Sequence, residues 1–267
     1  MKKRHIPFFI AAILLSALLP MTASAQAEGS KAGTSSSYRL FHGFIEDATI
    51  VDNQWWEGWL EYSEGEHVDM FLLRGVAAFQ PWESFELGAT VGFGSSSAEG
   101  MMPDGSGATD LDIWGKYHFN NGSGATEFAA GGVITIPTGD DTAGLGYDAF
   151  SIAAFGSVRH RYETAIVSAH AGVRVNGDGQ IFGVDVDGEL SPLLGVGFFY
   201  PHSDEVTFIA EASFESERFD GMDSDLRLLG GVNWRLSNRG ILRSAVGIGL
   251  TDGAPDAQLI LGYAVNF

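Results

Sequence analysis

The sequence predicts an all-β protein, a transmembrane antiparallel up-and-down β-barrel of about twelve strands, and three observations carry that reading. Apolar residues recur at every second position over one segment after another. The connections alternate between short turns and generally longer, glycine-rich, acidic loops. The composition is that of a wall facing lipid: the 267 residues include 36 glycines, 19 phenylalanines and 6 tryptophans, with 18% charged residues. A transmembrane barrel needs such numbers, because its strands must show an apolar outer surface while still alternating.

The first element is a secretory signal over residues 1–25. Lys2, Lys3 and Arg4 form a positive start, Ile6 to Leu19 an apolar core, and Ala23-Ser24-Ala25 a small-residue cleavage site, so the mature chain is expected to begin at Gln26. The apolar core is interrupted by Pro7 and Pro20 and is short of the roughly 20 residues a helical span requires. The chain has no cysteine, which excludes a lipoprotein anchor, disulfides and thiolate metal sites together. Loss of the three basic signal residues, with no acidic one, takes the formal charge from −19 to −22. So acidic a chain is a poor nucleic-acid binder. Residues 26–53, Ser-rich at first and then mixed, are expected to be either a periplasmic leader or a segment folded into the lumen, and the barrel to occupy residues 54–267.

Within the barrel, the segments 55–62 and 69–79 alternate less regularly than those that follow. Over 85–94, Phe85, Leu87, Ala89, Val91 and Phe93 face outward, with Glu86, Gly88, Thr90 and Gly92 inward. Over 111–119, Leu111, Ile113, Gly115, Tyr117 and Phe119 oppose Asp112, Trp114, Lys116 and His118. Segments 125–137, 147–159 and 190–200 are again less clean. Between them, Val167, Ala169, Ala171 and Val173 oppose Ser168, His170, Gly172 and Arg174. Val206, Phe208, Ala210, Ala212 and Phe214 then oppose Thr207, Ile209, Glu211, Ser213 and Glu215. The last three segments place Arg227, Gly231, Asn233 and Arg235, then Arg243, Ala245, Gly247 and Gly249, then Gln258, Ile260, Gly262 and Ala264 inward, and the barrel is expected to end on Phe267.

Short turns are expected at 80–83, 120–124, 160–162, 201–205 and 237–240, and longer loops at 95–106, 139–146, 176–189, 217–225 and 251–255. Outer-membrane barrels have short periplasmic turns and long extracellular loops, so both termini are expected in the periplasm and the strand number even. Aromatic residues gather at the short-turn ends, at Phe79, Trp82, Phe85, Tyr117, Phe119, Tyr162, Tyr200, Trp234 and Phe267. That is the pattern of an interfacial girdle.

From about residue 107 onward the chain resembles the family of outer-membrane channels named for the meta-pathway of phenol degradation. The resemblance rests on Gly132-Val133-Ile134-Thr135-Ile136-Pro137-Thr138-Gly139-Asp140 with Gly146-Tyr147-Asp148, on Leu194-Gly195-Val196-Gly197-Phe198-Phe199-Tyr200-Pro201, and on 229–267 with Arg235-Leu236-Ser237. It implies a barrel for uptake of small molecules, aromatic compounds among them; the channel expected here is for passive uptake of small solutes, aromatic or organic-acid compounds included. The start at Trp55, Trp56 and Trp59 matches less well.

The inward face gives the candidate pore-lining residues: Glu57, Glu61, Arg74, Glu86, Asp112, Lys116, His170, Arg174, Glu211, Arg227, Arg235 and Arg243. Charges inside a barrel must either pair with one another or line water. Paired, they make a closed structural or adhesive barrel; lining water, they make a narrow selective pore, which is the favoured reading. The four arginines 174, 227, 235 and 243 are expected to form a basic side opposite Glu57, Glu61 and Glu86. Outer-membrane lipids, lipopolysaccharide and small solutes are the expected partners, with no cofactor or metal. Gly92/Gly94, Gly195/Gly197 and Gly247/Gly249 lack the following helix of a nucleotide site and read as small inward residues that make space. The acidic runs 185–189 and 220–225 lack calcium-loop spacing. Ser168 and His170 share a strand face, but an outer-membrane lipid hydrolase would need its nucleophile on the lipid-facing side, and no G-x-S-x-G motif occurs, so no enzyme is expected.

Overall fold

A computed structural model describes residues 38–98, 104–119 and 124–267. The expected signal peptide and residues 26–37 lie outside the described set. Strands β1 (Gln54–Glu64), β2 (Val68–Trp82) and β3 (Phe85–Ala98) begin the wall, and β4 (Gly105–Ala108) and β5 (Leu111–Phe119) pair in succession with β3. Next come β6 (Thr126–Ile136), β7 (Ser151–Arg161) and β8 (Ile166–Asn176). A small hairpin of β9 (Gly179–Ile181) and β10 (Val184–Val186) stands in the following loop. The wall is completed by β11 (Leu190–Pro201), β12 (Val206–Glu215), β13 (Asp225–Arg235), β14 (Gly240–Gly249) and β15 (Ala257–Asn266). Antiparallel pairing of β1 with β15, from Trp55↔Asn266 to Glu64↔Ala257, closes a 12-strand barrel.

The alternation decides which face each residue takes. Leu73, Phe93, Ile134, Leu194, Val196, Phe198, Leu259 and Leu261 are exposed on the outer wall, while their strand neighbours point inward. Segments that alternate weakly in composition obey the same rule: β7 buries Ser151, Ala153, Phe155, Ser157 and Arg159 between exposed or half-exposed neighbours. In β1 the two adjacent tryptophans split, with Trp55 fully buried inside and Trp56 exposed outside. The exposed rings of Phe79, Trp82, Tyr117, Phe119, Tyr162, Tyr200, Trp234 and Phe267 encircle the short-turn end. A band of this kind suits a bilayer interface.

Residues 38–53 lie inside the barrel. Leu40, Phe41, Phe44, Ala48 and Val51 are buried there. They pack against inward residues drawn from around the wall, including Trp55, Trp114, Val133, Leu193, Ile209, Leu229 and Ile241. Both ends of this luminal segment lie at the short-turn end: Tyr38 stacks edge-on with Phe199 at 6.3 Å, and Gln80 N donates to the Asn53 carbonyl at 2.9 Å. Its apex, at 42–46, reaches toward the long-loop end and floors a cavity there.

Candidate functional site

Ten of the twelve inward residues singled out above separate by height along the barrel axis, a property that strand parity does not encode, with Glu57 and Arg243 at the border where the lower tier meets the cavity. The lower tier, toward the short turns, holds the luminal segment. Arg39 donates to both Glu86 carboxylate oxygens, at 2.5 and 3.3 Å, and Glu86 also accepts from Trp114 Nε1 and Val51 N. Lys116 Nζ sits 3.3 Å from Glu86 and donates to the carbonyls of Ile45 and Asp47. Arg243 forms an ion pair with Glu57 at 2.6 Å and donates to the carbonyls of Arg39 and Leu40. Glu211 accepts the successive backbone N–H groups of Phe41, His42 and Gly43 at 2.9, 3.3 and 2.5 Å. Asp47 is held by Arg159 at 2.9 Å and by the Ser168 hydroxyl at 3.0 Å, and Arg159 also donates to the Tyr38 carbonyl. A buried charge is tolerable only when paired and hydrogen-bonded, and these charges are.

The upper tier lines a cavity of about 360 Å³ toward the long loops, to which Glu61, Arg74, Asp112, Arg174 and Arg227 all contribute. Its arginines are accompanied by carboxylates: Arg74 with Glu61 at 3.4 Å, Arg174 and Arg218 with Glu215 at 3.0 and 3.7 Å, and Arg227 with Asp225. Asp112 instead accepts from the Thr135 hydroxyl at 2.6 Å, and Arg174 donates to that same hydroxyl. At the rim the Arg218 guanidinium lies 4.4 Å over the Tyr147 ring, which itself packs against Phe219. At the apex of the luminal segment, burial raises the Glu46 carboxyl to about 7 against the pull of Arg174. Burial, with Arg227 beside it, lowers the His42 imidazole to about 4.

The expected division into a basic and an acidic side is not what the barrel contains. Arg243 is bonded directly to Glu57, and Arg74 rather than a distant arginine faces Glu61. The reason is geometric: β14 and β1 both flank β15, so side chains from them meet over its small inward residues, Gly262 and Ala264. Arg235 ends β13 at the short-turn rim, outside the cavity lining. Nor are Ser168 and His170 brought together as a catalytic pair, since Ser168 donates to Asp47 and His170 Nδ1 has no partner. Sequence reasoning missed Arg39, Asp47 and Arg159. The first two lie in a segment with no strand period, and Arg159 in one of the less regular strands.

The inward glycines act as seats. A Cβ on Gly88 would lie 2.1 Å from the Trp114 ring, one on Gly195 2.1 Å from His170, one on Gly197 2.2 Å from Leu40, and one on Gly231 2.6 Å from Phe41.

Comparison with known proteins places the fold. No protein-family model and no curated protein matches the chain. The crystal structure of an outer-membrane channel from Pseudomonas putida F1 is similar, with 16% identity and a TM-score of 0.68, covering 86% of this chain and 100% of that one. The NanC porin matches at 8% identity with a TM-score of 0.57, over 79% of this chain and 100% of that one, and the KdgM porin at 10% and 0.56, over 80% and 99%. At these identities the likeness is one of architecture, and the chain has the closed 12-strand antiparallel fold found among outer-membrane channels.

Proposed function

We propose that the protein is a passive outer-membrane channel for small solutes, exported by its signal peptide and set with both termini in the periplasm. The observation that carries this reading is the cavity of about 360 Å³ at the long-loop end, lined by charged side chains whose ion pairs leave polar surface for water or a polar solute. The similar fold of solved channels supports it. Residues 38–53 act as a resident constriction, and the luminal charges set selectivity by field and size.

The cargo class follows from the mouth. Every long-end connection carries acidic residues, and Arg218 is the one arginine or lysine among them. Such a field concentrates cations and repels organic acids. The stacked Tyr147 and Phe219 rings offer an aromatic surface beside it. Neutral aromatic solutes or cations therefore fit the mouth better than the organic acids also expected as cargo.

A second reading has its own support, because the ion-paired lower tier fills the barrel as a closed structural body would. Single-channel recording of the refolded mature protein, with small aromatic solutes added as blockers, separates the two. Discrete steps that one solute class blocks establish the channel; a correctly folded, inserted and silent protein establishes the closed barrel.

A further inference from the structure

We infer that solutes pass the luminal segment along the inner face of β11, through a glycine-floored trench gated by the side chains of His170 and Leu40, while the segment itself stays in place. This rests on the channel reading above and specifies its route.

Most of the contact between luminal segment and wall is fixed by charge. On β3, β5 and β7 the segment is held by Glu86, Lys116 and Arg159, on β8 by Ser168, on β12 by Glu211 and on β14 by Arg243. β11 differs. Its inward positions facing the segment are Leu193, Gly195, Gly197 and Phe199, whose side chains carry no donor or acceptor, and its backbone is engaged in the ladders to β8 and β12.

The space over that strand is occupied by two side chains, those of His170 and Leu40. The His170 ring fills the seat over Gly195, and its other side meets Gly43 at the apex of the segment, where an added Cβ would lie 3.0 Å from the ring. Leu40 fills the next seat toward the short turns, over Gly197. Directly above His170 a second cavity, of about 170 Å³, runs down from the first and shares Glu46, Arg174, Glu215 and Arg227 with it. The water-accessible space thus already descends to the imidazole, and His170 Nδ1 has no hydrogen bond to hold the ring there. A rotamer change costs far less than separating several buried ion pairs, so opening by side chains is the easier motion.

The chain has no native cysteine, so the test can use thiol chemistry on the full mature protein in liposomes. Swelling in a small uncharged sugar is measured for wild type, His170→Ala and a His170→Cys variant treated in place with a bulky thiol reagent. Val133→Cys, buried on β6 two strands around the wall from β8, is the control. His170→Ala is expected to raise the rate on the order of twofold by widening the narrowest section. Modification at position 170 is expected to abolish most of the rate, and modification at 133 to leave it unchanged. If His170→Ala swells at the wild-type rate, or both cysteine variants are blocked alike, the trench is overturned while the channel stands. No swelling in wild type or in any variant, with the barrel shown to be folded, overturns the channel reading and the trench with it.

Discussion

Individual side chains inside this barrel are governed by whether their neighbours are water or the luminal segment. Glu46 stands at that border. Its folded value, about 7, lies above the ordinary carboxylate value of 4.5. The neutral form is therefore favoured in the folded state: its stabilising contribution is complete below pH 4.5 and is lost as pH rises through about 7. Above that point the cavity gains a negative charge, whereas His42, lowered to about 4, stays neutral throughout. Reversal potentials measured in a salt gradient should shift toward cation preference between about pH 6 and about pH 8. Glu46→Gln should remove that shift; its persistence would assign the titration elsewhere. Glu211 makes the complementary case. Replacing it with Gln leaves three aligned backbone N–H groups facing a weaker, partly donating side chain. The expected cost is about 1–3 kcal/mol, read as a lower midpoint of thermal unfolding.

At the scale of the strand, glycine placement is as informative as hydrophobic alternation. Gly88 on β3 leaves room for the Trp114 ring of β5, the indole that donates to Glu86. Gly88→Ala should cost about 1–3 kcal/mol through overpacking, seen as an earlier loss of the folded band on heating, whereas Gly75→Ala, with open space around it, should cost little. Much of this level was legible in the sequence. Parity placed Glu86, Trp114, Lys116, His170, Arg174 and Arg243 on the inner face, and the inward glycines were recognised as makers of space. What parity could not supply was height along the axis, because a period of two is blind to position along the strand. Glu86 and Arg174 therefore looked alike, although one grips the luminal segment and the other lines the cavity. The β9–β10 hairpin escaped notice because its three-residue strands are too short to show a period.

For the whole molecule, the distribution of charge matters more than its total of −19. The mouth is acidic in every connection, while the lower tier pairs its charges. At low salt the current should be carried mainly by cations, and the preference should shrink toward molar ionic strength, where the screening length falls to about 3 Å. An anion-directed reversal potential at low salt would show that the buried arginines, not the mouth, set the field. The luminal segment also bears on how the barrel is made. Its partners are far away in the chain, with Gly43 meeting Glu211 and Arg39 meeting Glu86, and they come from strands spread around the full circumference. None of these contacts can form until distant strands curl toward one another. The segment's apolar residues are equally unable to find shelter before then. Loop closure must be met before such remote contacts repay it, which makes assembly slow. The luminal segment, synthesised ahead of every strand of the wall, thus serves as a mandrel, around which those strands must be wound before the β1–β15 seam can shut.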